Sequence, residues 1–318
     1  MSQRIPENNI RLSRRAVIAV AAGAAASALS RSTPALTQSA SASILERPIP
    51  HGGEMLPVVG VGTSIVFDVG DDPVKGKEIR AVVETLVAGG GKLIDTGSTY
   101  GTSESVVGNL AEQTGLRDKL FLATKCEVRS RAAMIAEMQQ SQRWLKTQKI
   151  DLMQLHNVRD PKTDLGLFRE WKAQGICRYT GITTSSASAH DAVAAVASRE
   201  KPDFVQVNYS IADRAAEKRV LPAAKDAGAA VLTNLPFGRG GLFRLVRGKP
   251  LPDWAAEFDA ASWGQFFLKF LIAHEAVTVV IPGTAKAEHM KDNLASGRGK
   301  LPDRATRARM AAFIDGLR

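Results

Sequence analysis

The chain has 318 residues, enough for one or two domains at roughly 150 residues each, with 44% hydrophobic and 23% charged residues. That balance excludes a disordered chain and a collagen-like fibre, and a count of 2 cysteines excludes a disulfide framework. The net charge of +10 is partly terminal, since Arg4, Arg11, Arg14, Arg15 and Arg31 face only Glu7 within residues 1–42; the rest is scattered, with no basic stripe interleaved with aromatics, so nucleic acid is not an expected partner and an anionic cofactor is.

The chain opens with an address rather than a fold. Arg11 to Arg15 is a charged segment ending in the pair Arg14-Arg15. An Ala-rich apolar stretch follows from Ala16 to Leu29, short of the ~18–20 residues that a stable membrane span needs. Ala40-Ser41-Ala42 is an A-x-A-type cleavage site. The layout resembles a bacterial twin-arginine export signal, with Val17 where that signal often has Phe. Residues 1–42 are therefore expected to be a signal peptide outside the fold, and 43–318 the mature domain. The export machinery is the expected partner, and the periplasm or the medium the expected location. An uncleaved anchor on a cytoplasmic protein is the alternative.

Beyond Ser43 the chain alternates. A short extended pair spans Ile49 to Pro57, turning at His51-Gly52-Gly53. A buried strand run covers Leu56 to Gly62, and a helix covers Pro73 to Ala88, closed by Gly89-Gly90-Gly91. Strands are predicted at Lys92–Asp95, Leu120–Lys125, Ile150–His156, Tyr179–Thr183, Phe204–Asn208, Ala230–Asn234 and Val277–Ile281. Helices are predicted between them, from Ser103–Gln113 through Ala132–Lys146, Leu165–Ala173, Ala189–Arg199 and Ala216–Ala227 to Trp263–Ala273. Glu288–Ala295 and Arg304–Gly316 close the chain. This rhythm predicts a parallel sheet in a single α/β domain, a (β/α)8 TIM barrel preceded by a short N-terminal β-hairpin. A doubly wound open sheet is the alternative.

In such barrels the chemistry sits where the strands end. Here the strand ends carry Asp95, Lys125 and His156, and Tyr100 hangs in the loop after Asp95. Tyrosine has a reference pKa near 10 and is a weak acid at neutral pH; a nearby ammonium stabilises the phenolate it leaves behind. A carboxylate keeps that ammonium charged, and a neutral imidazole can hydrogen-bond a carbonyl. The set suits protonation of a developing oxyanion, as in carbonyl reduction.

These residues lie in motifs. Ile94-Asp95-Thr96-Gly97-Ser98-Thr99-Tyr100-Gly101 with Ser103-Glu104, the Asp151-Leu152 to His156 segment, Gly175-Ile176-Cys177-Arg178 to Thr183, and Val280-Ile281-Pro282-Gly283-Thr284 with Asn293-Leu294 together resemble the signatures of the aldo-keto reductases. The resemblance runs from about Ile49 to Leu294. It implies a barrel that binds a nicotinamide cofactor without a Rossmann domain, a catalytic tetrad of Asp95, Tyr100, Lys125 and His156, and a small-molecule carbonyl substrate. NADP is the implied cofactor, with NAD as the alternative.

The same resemblance implies a cofactor site. Gln206 and Asn208 end one strand, with Gln206 matching the residue that holds the carboxamide. Gly238 and Gly240 lie in a loop near the pyrophosphate. Pro282, Gly283, Thr284, Lys286, His289 and Asn293 surround a phosphate at a helix start. Three positions depart from the pattern: Thr183-Thr184 replace Ser-Asn, Asn234 replaces a stacking aromatic, and His289 stands where an Arg often grips the 2′-phosphate, leaving Lys286 as the cation. Gly60-Val61-Gly62 lacks the third glycine of a dinucleotide fingerprint, Ile65 standing there. Phe67 is the expected apolar wall for substrate, and Trp144, Trp171, Trp254 and Trp263 are expected to pack helices. No His pairs with another His or a Cys at metal-ligand spacing, so no metal site is expected, and Cys126 and Cys177 are expected as free packed thiols. The rival to an enzyme is a non-catalytic nicotinamide-binding sensor on the same scaffold.

Overall fold

The computed structural model describes residues 43–127 and 129–318; the signal-peptide expectation for residues 1–42 lies outside them. Two short strands, β1 (Glu46–Pro48) and β2 (Met55–Pro57), pair antiparallel. The turn between them needs a left-handed backbone at Gly52 (φ 118°) and Gly53 (φ 72°), which glycine adopts without steric cost.

Eight parallel strands follow: β3 (Val61–Gly62), β4 (Leu93–Asp95), β5 (Phe121–Glu127), β6 (Ile150–His156), β7 (Cys177–Thr183), β8 (Phe204–Asn208), β9 (Ala230–Asn234) and β10 (Val279–Val280). They are ordered as in the sequence. Bridges from Val59 to Val280 and from Gly62 to Gly283 join the first strand to the last. The sheet therefore closes into a barrel, which sets aside the open doubly wound alternative. Closure is lean: the ladder of β3 covers only the last two residues of the expected Leu56–Gly62 run, and β10 only Val279–Val280 of Val277–Ile281.

The helices are α1 (Pro73–Ala88), α2 (Ser103–Thr114), α3 (Arg131–Trp144), α4 (Gly166–Ala173), α5 (His190–Glu200), α6 (Val220–Asp226), α7 (Gly241–Leu245), α8 (Trp263–Ile272), α9 (Ala287–Ala295) and α10 (Arg304–Asp315). Local chemistry sets several boundaries. Asp72 caps α1 by accepting from the Val74 and Lys75 amides, with Pro73 in the first turn. Ser130, Ser262 and Asp303 cap α3, α8 and α10 in the same way. One expectation changes. The predicted 216–227 helix is a short 3-10 turn and then α6, because Arg219 leaves the helical region (φ −140°). Glu104 stands in the first turn of α2. It is buried, and its carboxylate accepts a hydrogen bond from the Thr124 hydroxyl at 2.5 Å.

Strand alternation divides the apolar residues into two cores. One set fills the barrel: Ile49, Leu56, Leu93, Phe121, Leu152, Tyr179 and Phe204, completed by two alanines and by Leu232, Val279 and Ile281. Tyr179 lies 5.9 Å from Phe121 and 5.7 Å from Phe204, ring centre to ring centre. Each large side chain buried there contributes about 1.5–3 kcal/mol. The second, larger core lies between strands and helices. The hairpin supplies Ile49 and Leu56 to the first core, so it stoppers the N-terminal end of the barrel. Arg47 holds it there, donating to the carbonyls of Ile272 (2.7 Å), His274 (2.9 Å) and Val277. The opposite end is left to polar residues.

Candidate active site

On β4, β5 and β6 the inward row ends in a polar residue. Along β4 it reads Leu93, then Asp95; along β5, Phe121, Ala123, Lys125, Glu127; along β6, Leu152, Gln154, His156. The ladder places Lys125 opposite Gln154 and Glu127 opposite His156. Apolar residues fill the lower layers and charged ones the top, so the four residues expected as a tetrad meet at one mouth.

Lys125 is completely buried. Its ammonium donates to Asp95 Oδ2 at 2.7 Å and to the Thr96 carbonyl at 2.5 Å. It lies 4.8 Å from the centre of the Tyr100 ring. Burial pulls this ammonium down, but the Asp95 carboxylate and the Tyr100 hydroxyl outweigh burial and hold it above the ordinary lysine value. The other Asp95 oxygen accepts from Gln154 Nε2 at 3.0 Å. Gln154 has room to do so because β7 presents Gly181 there; a Cβ at Gly181 would press on Gln154 Cγ at 3.0 Å and on Phe204. His156 meets Tyr100 edge to face, with ring centres 5.9 Å apart. Burial first, and then the Lys125 charge, push the imidazole below the ordinary histidine value, against the opposing pull of Glu127. The Tyr100 loop is itself held. Asp68 accepts from the Thr102 amide (2.9 Å) and hydroxyl (2.8 Å), and the Gly70 amide donates to that hydroxyl at 2.9 Å.

Above this cluster lies a cleft of about 580 Å³, within the roughly 300–1,000 Å³ of small-molecule sites. Asp95, Tyr100, His156, Gln206, Gly240 and Gly283 line it. Lys125 sits beneath its floor. Pro282 is in the closing seam, its carbonyl accepting from the Gly62 amide. Gly238 makes the left-handed turn (φ 54°) just before Gly240. Thr284 is buried and accepts from the Lys286 amide at 3.1 Å, which shapes the entry to α9. Lys286 and His289 face outward at the start of that helix, the Lys286 ammonium 3.9 Å from Glu288, and Asn293 is buried within it.

Asn208 is the exception. Its carbonyl oxygen meets His190 Nε2 at 3.0 Å, its amide nitrogen donates to Asp213 at 2.8 Å, and it does not line the cleft. It braces β8 against α5 instead of facing a ligand. Phe67 is likewise displaced from the expected role. Its amide turns back to the Thr63 carbonyl and its ring is fully buried in the outer core. Ile65, 77% exposed, and Val66 form that side of the cleft. Trp144 is partly exposed rather than packed, whereas Trp254 packs on Phe266 and Phe313. Cys126 and Cys177 are free and buried, and burial pushes both thiols up.

Two observations were not anticipated. Glu127 reaches His156 Nδ1 at 2.5 Å. The period-two pattern marks Glu127 as the next inward residue after Lys125, but only if the strand is carried two residues past the lysine. The second concerns backbone strain. Among the described residues, seven other than glycine have positive φ, and four of them, Ile65, Asn157, Leu235 and Arg239, line the cleft. Such conformations are uncommon for these side chains and gather at functional sites.

Two cleft-lining amides carry buried atoms without partners. They are Gln206 Nε2, a donor, and Asn234 Oδ1, an acceptor whose own nitrogen donates to the Thr184 carbonyl at 3.0 Å. A primary carboxamide needs one of each, so the residues fit a nicotinamide at this end of the cleft.

The barrel, its mouth and this cluster define an oxidoreductase of the aldo/keto type. The aldo/keto reductase family model matches residues 58–309, and the chain belongs to that family. It is 30% identical to the aldo-keto reductase YhdN of Bacillus subtilis over 220 residues, a match spanning 63% of this chain and 63% of that one. It is 27% identical to the methylglyoxal reductase YeaE of Escherichia coli over 260 residues, covering 79% and 89% of the two chains. The fold is similar to that of a crystallised aldo/keto reductase from Klebsiella pneumoniae in complex with NADP and acetate, with a TM-score of 0.68 at 24% identity over 82% of this chain and 93% of that one.

Proposed function

We propose that the protein reduces small aldehydes or ketones to alcohols using NADPH, with Tyr100 as the general acid. The observation that carries this reading is the fully buried Lys125–Asp95 pair beneath Tyr100 at the floor of the cleft. Gln206 and Asn234 would hold the carboxamide, the 238–240 loop the pyrophosphate, and the start of α9, with Lys286, the outer phosphate. A bound reduced nicotinamide supplies the hydride that reaches the carbonyl carbon.

The chain's own residues handle the proton. Tyr100 gives its hydroxyl proton to the carbonyl oxygen as negative charge develops there. The Lys125 ammonium stabilises the phenolate that remains, and Asp95, steadied by Gln154, keeps that ammonium charged and in place. Lys125 stays protonated through the cycle because its ammonium is held above the ordinary lysine value.

Tyr100→Phe removes only the acidic hydroxyl. Carbonyl-dependent loss of NADPH absorbance should fall by about 10²–10⁴-fold, while NADPH binding, followed by nicotinamide fluorescence, persists. Full turnover in the variant would remove Tyr100 from the acid role. Binding without turnover in the wild type across a carbonyl panel would favour a sensor.

We further propose export by the twin-arginine route, supported by Arg14-Arg15, the Ala-rich stretch and Ala40-Ser41-Ala42. That route resembles one carrying proteins already folded, which suits a cofactor loaded before export. The expected mature N-terminus follows Ala42. Mass spectrometry that finds intact residues 1–42 on the cellular protein would refute it.

A further inference from the structure

We propose that Glu127 sets the tautomer of His156, so that the neutral imidazole presents an unprotonated Nε2 to the cleft and donates a hydrogen bond there only as the imidazolium. Register brings the two side chains together. Glu127 and His156 are direct partners across the β5–β6 ladder, both on the inward face. Glu127 Oε1 lies 2.5 Å from His156 Nδ1. An ionised carboxylate can only accept, so Nδ1 must carry the proton. A neutral ring has one proton, which leaves Nε2 as a lone pair. Nε2 makes no hydrogen bond to any described residue, and the ring lines the cleft.

Glu127 is braced for this task. Its backbone amide donates to both Glu137 oxygens at 3.2 and 3.3 Å, and Ser98 donates to Glu137 from the Tyr100 loop. The charged and titratable groups around the imidazole are Asp95 from β4, Tyr100 from the following loop, and Lys125 and Glu127 from β5. Glu137 of α3 stands behind Glu127, and the end of β7 brings the uncharged Thr183 into the same cleft lining as the imidazole.

The consequence reaches substrate choice and rests on the reductase reading. A carbonyl oxygen meets a lone pair when the ring is neutral and a donor when it is charged. A hydroxyl group meets an acceptor in the neutral state. Near and above neutral pH the cleft therefore favours hydroxyl-bearing ligands over bare carbonyls, and carbonyl reduction gains as the medium becomes acidic.

The test uses the full chain labelled with nitrogen-15 histidine, with His156→Asn identifying the signal. At alkaline pH the wild type should show Nδ1 protonated and Nε2 bare. In Glu127→Ala no acceptor faces Nδ1, so the proton should shift to Nε2. A wild-type ring with its proton on Nε2, or identical nitrogen shifts in wild type and Glu127→Ala, overturns the proposal. Glu127→Leu offers the same readout should the alanine variant fold poorly. Kinetics separate the two readings. Wild-type kcat/KM for carbonyl reduction should fall about tenfold per pH unit above the imidazole midpoint, and Glu127→Ala should flatten that fall. If no form turns over any carbonyl while the nitrogen shifts behave as stated, the reductase reading fails and the role of Glu127 stands.

Discussion

Two buried lysines show how one partner decides a charge. Lys125 has the Asp95 carboxylate at 2.7 Å and is held above the ordinary lysine value. Lys269, on α8, is as fully buried but, among the described residues, donates only to the carbonyls of Arg298 (2.6 Å) and Lys300 (2.8 Å). Burial pushes it down to about 8 against a weaker pull from Asp259. Between about pH 8 and the ordinary value near 10.4, the unfolded chain holds a proton that the folded chain has released. Stability from this residue is therefore lowest below that window and rises with pH through it. Measured against Lys269→Met by urea unfolding, the wild type should gain roughly 2–3 kcal/mol between about pH 7.5 and pH 10. A difference that stays constant with pH would show that Lys269 keeps its proton.

At the scale of elements, the loop after β3 clasps the loop after β4 through Asp68 and Thr102. Gly101 makes this possible. Its φ is 57°, and a Cβ there would lie 2.3 Å from the Asp68 carboxylate. The Thr102 amide and hydroxyl hold Asp68 below the usual carboxylate range, so the clasp persists until the medium is strongly acid. Because it fixes the approach of Tyr100, Asp68→Ala should lower kcat by about an order of magnitude while the melting temperature changes little. Asp68→Asn, which keeps an acceptor, should lose less. Equal kcat in all three proteins would disconnect the clasp from Tyr100. Element boundaries were legible where a local signal marks them, as at Asp72-Pro73 and Gly89 around α1. They were lost where the site begins. Glu127 occupies an inward position with a polar side chain, so hydropathy reads β5 as finished at Lys125. The α7 turn has only five residues and starts at glycine, too little for a periodic pattern.

For the whole molecule, alternation of strand and helix pointed to the barrel, yet the contact that closes it could not be read locally. Val59 and Val280 are 221 positions apart, and nothing in either neighbourhood names the other. The cluster was legible because Asp95 and His156 end strands, Lys125 stands two residues from the end of another, Tyr100 follows in the loop, and strand ends converge in any closed parallel barrel. Asn208 and Phe67 were misplaced for the complementary reason: which way a side chain leaves the last turn depends on neighbours such as Asp213, or on the Thr63 turn, that hydropathy does not encode. The hairpin stopper and the polar mouth also separate two tasks. Substitutions around Arg47 act on how firmly the lower end is sealed, and those around Glu127 act on chemistry.

The pairing of Lys125 with Gln154 and of Glu127 with His156 is also a record of how β5 was threaded. A slip of β5 by one residue would send Lys125 and Glu127 outward among the helices and turn Thr124 and Cys126 into the lumen. Such a molecule could be compact and helical, yet it would have no ammonium beneath Tyr100. Regain of turnover after refolding therefore counts correctly threaded barrels, while circular dichroism counts all that have collapsed, and the gap between the two yields is the misthreaded fraction.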